Sequence, residues 1–351
     1  MSNSKNKTVS KIIEILTLVV LIIFSGTRYR LGGYDYGVYE RIFYNSPSSI
    51  FELGNIFNYG TDFLYYLFNS FVKGLGFNFY GFTLIESILF HLLLYRGIKK
   101  NNINFGLFII IFLYKLFIFN TFVSMRQSLA LVIFFNCIPL IKEDKSIKYI
   151  IIMTFTSFLH SSAIILVPLI FINKVNFTKK LLVLYSSVFF VLFLMNIFDI
   201  YRFNPTYFLS EVFKSNSALI AKVNLYSEAN TSINILSTIE TYIITLLVIF
   251  FYNKIYVKES NKIYINLFLL IIPIVTFFRS YEVIVRLRDY FSLFIPFVLF
   301  YIFKEYKNKD KMLLYIMTTI ICFAGFYRYI YTYGGLTPYR SYIFEDVSIF
   351  K

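Results

Sequence analysis

The sequence predicts an all-α polytopic membrane protein with about eleven transmembrane helices and short helices at its outer face. Three observations carry that expectation. Of 351 residues, 58% are hydrophobic and 15% charged, with a mean hydropathy of +0.67, whereas soluble domains run at roughly 45–50% apolar and about 25% charged. Apolar runs long enough to cross the hydrocarbon core recur along the whole chain. Lysine and arginine are sorted between different connecting segments. These features exclude a soluble enzyme, a disulfide scaffold and a disordered chain. With no soluble linker, low-complexity segment or clear repeat, residues 1–351 read as a single integral membrane domain.

The first run, Ile12 to Phe24, follows Lys5, Lys7 and Lys11 but precedes no small-residue cleavage site, so it reads as an uncleaved span over 12–26. A first outer loop, about 27–60, comes next. The apolar stretch 61–76 contains Lys73, Gly74 and Gly76 and is too short for a span, which makes it a re-entrant or interfacial helix. Further spans are expected at 78–96, 103–121, 124–141, 148–172, 181–199, 233–253, 263–280, 287–303 and 312–330. The 148–172 run is read as two short helices broken at His160-Ser161-Ser162, and a large outer loop as 200–232.

The positive-inside rule decides for this arrangement. With a cytoplasmic N-terminus, 19 of the 34 cations face the cytoplasm, 18 of them lysine, while ten of eleven arginines lie outside or within spans. One unbroken 148–172 span would send the later lysine clusters outside. Basic residues grouped between apolar runs do not form the continuous polar face that nucleic acid needs. Topology alone leaves outward arginine unexplained. Its planar fork binds phosphate and carboxylate bidentately and stays charged when partly desolvated, so an outer site for a phosphorylated or acidic substrate is expected.

Four stretches carry candidate chemistry. In the first outer loop, Arg28-Tyr-Arg-Leu-Gly-Gly-Tyr-Asp35-Tyr-Gly-Val-Tyr39-Glu40-Arg41 reads as an aromatic-lined loop able to stack on sugar rings. Asp35 is a possible base there and Tyr39 a substrate contact. Neither Asp35 nor Glu40 adjoins another acid, and the absence of paired carboxylates favours chemistry without a metal. Ser124-Met125-Arg126-Gln127 opens a span from the outer side, where a first-turn cation makes sense if an anion sits beside it. Arg126 is therefore assigned to the leaving group and Gln127 to substrate binding. His160 lies at the break, at a depth where ionisable groups are costly and usually functional, with a suitable intrinsic pKa for acid–base work. The fourth stretch, Arg279-Ser-Tyr281-Glu282-Val-Ile-Val-Arg286-Leu-Arg288-Asp289-Tyr290, brings three arginines to an outer turn. On a helix beginning near Val285, Arg286 and Tyr290 share a face. Arg286 joins the catalytic set, and Arg279, Arg288 and Tyr290 join substrate binding with Arg340 of the tail. Cys137, Cys322, His91 and His160 form no metal-ligand spacing, and His91 reads as structural. No metal or cofactor is expected.

The Arg126-Gln127 span start, the following lysine loop and Phe158-Leu-His160-Ser-Ser-Ala resemble the core pattern of the EpsG/Wzy-type polysaccharide polymerases. Gly-Tyr-Asp35-Tyr-Gly-Val-Tyr39, Arg286-Leu-Arg288-Asp-Tyr290-Phe and the terminal Pro338-Tyr-Arg340 are similar to that family as well. The resemblance implies a metal-independent, GT-C-like glycosyltransferase of the bacterial plasma (inner) membrane. It would join undecaprenyl-diphosphate-linked oligosaccharide repeats, as donor and acceptor, on the outer or periplasmic side. The product would be O-antigen, capsule or exopolysaccharide, with a chain-length regulator as an implied partner beside membrane lipid. Residues 200–232, with Tyr201, Arg202, Tyr207, Lys222 and Tyr226, would match its large outer loop. Two alternatives stand: an O-antigen ligase or other polyprenyl-linked glycosyltransferase, using similar arginines, and a lipid-linked oligosaccharide flippase. The flippase would favour inverted repeats and charges along both halves of a cavity.

Overall fold

Apolar runs that meet neither a strand period nor a turn signal become helices, and the computed structural model is helical wherever its secondary structure is regular. It describes residues 2–49, 60–198, 200, 235–278, 286–332, 336–345 and 347–350. In chain order the helices are α1 (Ser2–Gly26), α2 (Gly33–Asn45), α3 (Phe63–Gly74), α4 (Phe79–Lys100), α5 (Phe105–Phe112), α6 (Met125–Lys142), α7 (Ser146–Ser157) and α8 (Lys179–Ile197). They continue with α9 (Ile235–Phe250), α10 (Tyr252–Ile255), α11 (Glu259–Leu269), α12 (Ile271–Phe277), α13 (Arg288–Ser292), α14 (Ile295–Phe303) and α15 (Asn308–Thr332). Two π-helical turns, Leu113–Phe117 and Phe119–Val123, join α5 to α6, and a 3₁₀ helix, Ser161–Lys174, follows α7.

Six of these segments are long and apolar enough to cross a membrane: Lys7–Gly26, Phe79–Lys100, Met125–Lys142, Lys179–Ile197, Glu259–Phe277 and Asn308–Thr332. Shorter apolar helices lie at Phe105–Phe117, Ser146–Ser157, Ser161–Lys174 and Ile235–Phe250. On α1 the side chains of Ile12, Ile13, Leu16, Val19, Val20 and Ile23 are exposed, as are Leu313, Ile316, Ile320 and Phe323 of α15. Water would not tolerate such continuous apolar surface. The chain is a multi-pass membrane protein.

The chain divides into two compact units, one of Met1–Ile170 with Tyr315–Lys351 and one of Phe171–Leu314. In the first, α4 packs between α1, to which it runs antiparallel, and α6, to which it runs parallel. Thr83 Oγ1 donates to the Gly26 carbonyl at 3.1 Å near one end, and Lys99 meets Glu14 at 2.6 Å near the other. Asn101 Nδ2 donates to Phe135 O at that same lysine-bearing end. The opposite end gathers the close of α1, the starts of α4 and α6 and the turn after α7. The tail closes over it, pairing Arg28 with Ser341 and Phe77 with Phe350 in isolated bridges.

Two sequence expectations are settled here. Residues 148–172 do break at His160: α7 stops at Ser157, the 3₁₀ helix starts at Ser161, and the Tyr149 hydroxyl donates to Leu166 O at 2.6 Å, which only a hairpin allows. The 61–76 stretch is the 12-residue α3, about 18 Å long at 1.5 Å per residue and too short to span.

Another expectation changes. The aromatic segment after Arg28 is not an open loop, because α2 places Tyr36, Tyr39 and Phe43 on one face at helical spacing. That face packs with Tyr65, Phe79, Phe82 and Met125. Tyr36 and Tyr39 are 7% and 4% exposed, so their rings belong to the core rather than to a sugar platform. A Cβ on Gly32 would come within 2.5 Å of the Phe122 carbonyl, and glycine is what lets α2 begin against the π turn.

In the second unit, α8 packs on α9 and α12, and α11 on α14. Asn266 donates to Ile172 O and Val175 O at 3.1 and 2.8 Å. It thereby ties α11 to the end of the 3₁₀ helix.

Candidate functional site

An aspartate that no motif marks organises the polar end of the first unit. Asp62 lies at the N-terminus of α3. Its Oδ2 accepts from Arg126 Nη1 at 2.7 Å, and its Oδ1 accepts from the Ser161 N–H at 2.9 Å. His160 Nδ1 lies 3.9 Å from the same Oδ2. The pairing Leu64 N–H to Phe158 O, at 3.0 Å, and the Phe63 and Phe158 rings, 4.9 Å apart, hold α3 to the turn after α7. Three separate stretches thus converge on one carboxylate.

The first-turn cation of α6 was expected to need an anion, and the protein supplies one itself. Asp62 is stabilised by Arg126 and by the positive end of the 3₁₀ helix together. The Arg126 guanidinium also lies over Tyr39 and Tyr65, with ring centroids at 5.6 and 5.9 Å, an arrangement that cation–π attraction favours. Burial pushes both phenols up from their ordinary range, so both rings stay neutral beneath the cation. The side chains of Arg126, Asp62 and His160 remain 25, 14 and 22% exposed, enough for a substrate to reach them. π-helical turns like those leading into Ser124 recur at functional sites, where they re-aim the following residues.

The other candidate residues have different places. Asp35 sits half-buried in the first turn of α2, one turn before Tyr39, and acts on that phenol through its charge. Gln127 is 2% exposed and accepts from Ser124 Oγ at 3.2 Å, so its amide is set inside the helix packing. Arg340 makes a bidentate pair with Glu345 at 2.8 and 2.9 Å and covers the Tyr29 ring at 5.1 Å. Its hydrogen bonds hold Glu345 below the usual carboxylate range. This arginine fastens the tail.

In the second unit, α13 begins at Arg288, with Arg286 in the turn before it. Arg288 reaches Ser237 Oγ and Asp289 Oδ1, each at 3.5 Å. Tyr290 is fully buried, and because the helix starts only at Arg288, Arg286 and Tyr290 do not share the helical face that was expected of them. Arg279 lies outside the described residues, as does 201–232 of the expected large outer loop.

A second acid also escaped sequence reading. Glu86 sits inside α4, and with Arg28 it borders a cavity of about 10 Å³ completed by Ser87, Phe90, Thr121 and Ser128. Arg28 is 1% and Glu86 4% exposed, and the two charges act on one another. An acid within an apolar span was itself a readable signal.

The EpsG family model matches residues 11–341. The chain belongs to the EpsG family. Membership puts this EpsG-family chain in polysaccharide biosynthesis. No curated protein and no solved structure matches it. Within the matched span lie all three side chains of the Arg126–Asp62–His160 cluster.

Proposed function

We propose that this EpsG-family chain polymerises undecaprenyl-diphosphate-linked oligosaccharide repeat units at the outer face of the plasma membrane. The observation that carries the reading is the convergence of Arg126, Asp62 and His160 at one accessible end of the first unit. In the reaction, the anomeric C–O bond to the donor diphosphate breaks and its electron pair leaves with the diphosphate. The acceptor hydroxyl oxygen forms the new glycosidic bond and gives up its proton. A diphosphate departs already ionised, so it needs charge stabilisation more than a proton, and Arg126 supplies it. In this reading His160 takes the hydroxyl proton. In this reading the chemistry needs no metal.

The test is reconstitution of the purified protein in vesicles with a defined undecaprenyl-diphosphate-linked repeat. Products should lengthen to a ladder, and excess chelator should leave the ladder intact. Arg126→Lys, which keeps charge but loses the fork, should cut the rate roughly 10²–10³-fold at equal protein, the cost of losing a transition-state donor. Movement of the repeat across the bilayer without lengthening would identify a flippase. Transfer only to a different acceptor would identify a ligase.

A further inference from the structure

The Arg126–Asp62 pair presents a difficulty for the reading above, and its resolution assigns Asp62 a role. One terminal nitrogen of the arginine that should hold a diphosphate is already committed to a carboxylate, at 2.7 Å. The same carboxylate stands 3.9 Å from His160 Nδ1, close to that imidazole but beyond a hydrogen bond. Its other oxygen is anchored by the Ser161 N–H, one residue along from the histidine. Asp62 therefore has two competing neighbours and a fixed pivot.

We propose that Asp62 is a positioning residue that the donor diphosphate displaces from Arg126, so that the released carboxylate turns to His160 and prepares it as the base. This deepens the polymerase reading and rests on it. A diphosphate outcompetes one carboxylate for the guanidinium because it brings more charge and more acceptor oxygens. The Tyr39 and Tyr65 rings hold the guanidinium in place during the exchange. Once free of Arg126, Asp62 needs only a short swing about its Ser161 anchor to accept from Nδ1–H. That leaves Nε2 basic toward the acceptor hydroxyl and stabilises the imidazolium formed when the proton arrives. The base is thereby armed only when a donor is present, and an empty site is kept from activating water or a stray hydroxyl.

The exchange separates binding from turnover, and Asp62→Asn tests it. Asparagine can still accept from the Ser161 N–H while releasing Arg126. Inorganic pyrophosphate should bind the variant about fivefold more tightly than wild type, the scale of one partly exposed ion pair. At the same time kcat should fall about 10²-fold or more, and the acidic limb, set by protonation of the base His160, should move to lower pH. A carboxylate that merely held the fold together would weaken binding and turnover jointly and leave the pH profile in place; that result overturns the inference. Where Asp62→Asn does not accumulate, Asp62→Ser keeps an acceptor at the same helix start and gives the same readouts. Wild-type protein that neither binds pyrophosphate nor lengthens the repeat refutes the polymerase reading itself. Wild-type polymerisation with an Asp62→Asn that behaves identically refutes only the exchange.

Discussion

Arg28 and Glu86 are the residues where the first unit places charge deepest, at 1% and 4% exposure. Arg28 Nη1 donates to Ser25 O, and its guanidinium faces the Phe122 ring at 5.3 Å. Removing either side chain leaves the other buried head group less well compensated, at a cost of about 1–3 kcal/mol. Arg28→Met and Glu86→Leu should each lower thermal stability in micelles on that scale. The double variant should lose less than the sum by about 1–3 kcal/mol. Strictly additive losses would show that the two charges do not communicate. Individual residues were also where the sequence was least legible. Asp62 is a lone acid before an apolar run, and its partners lie 64 and 99 positions away. Only tertiary packing joins them, and periodicity contains no such information. Arg126 and His160 were readable because a cation at a helix start and a histidine at a span break contradict their local surroundings.

Among elements, the apolar runs were legible to within a few residues, since burying some 20 apolar side chains overrides local propensity. The break at His160 was legible because lysine placement demanded it. The fine geometry was not. Ser161–Lys174 is 3₁₀ rather than α, and its rise of about 2.0 Å per residue lets 14 residues reach roughly 28 Å, close to the hydrocarbon thickness. An α-helix of that length would stop near 21 Å. The α2 face was misread because aromatic residues with polar hydroxyls suit both a sugar-binding loop and a packed helix. The hairpin makes a direct prediction for topology. Reporter fusions after Lys145 and after Lys180 should report the same compartment, cytoplasmic in the eleven-span arrangement, and a fusion near Asn216 the other side. Opposite compartments for the first two would eliminate the hairpin.

The whole molecule has a cationic end of a different kind at each extreme of the first unit: Lys99 with Glu14 at one, Arg28, Arg126 and Arg340 at the other. The arginine-bearing end is finished by the tail. Arg340 O accepts from the Tyr29 N–H at 2.9 Å, Thr27 O from Tyr342 at 3.0 Å and Ile349 O from Asn78 at 3.0 Å. A chain ended after Thr332 loses these bonds, each contributing about 0.5–1.5 kcal/mol. It should therefore unfold at lower temperature and turn over poorly although Arg126, Asp62 and His160 are all present. Full activity from the shortened chain would remove any role for the tail in shaping the site. The same connection has a consequence in time. Residues 1–170 and 315–351 form one unit, yet everything between them must be made first. At about 5–20 residues per second, that delay is on the order of ten seconds. For that interval the nascent chain holds all three side chains of the cluster but not the strap beside them. The order of translation thus withholds the finished site until residues 336–350 have emerged.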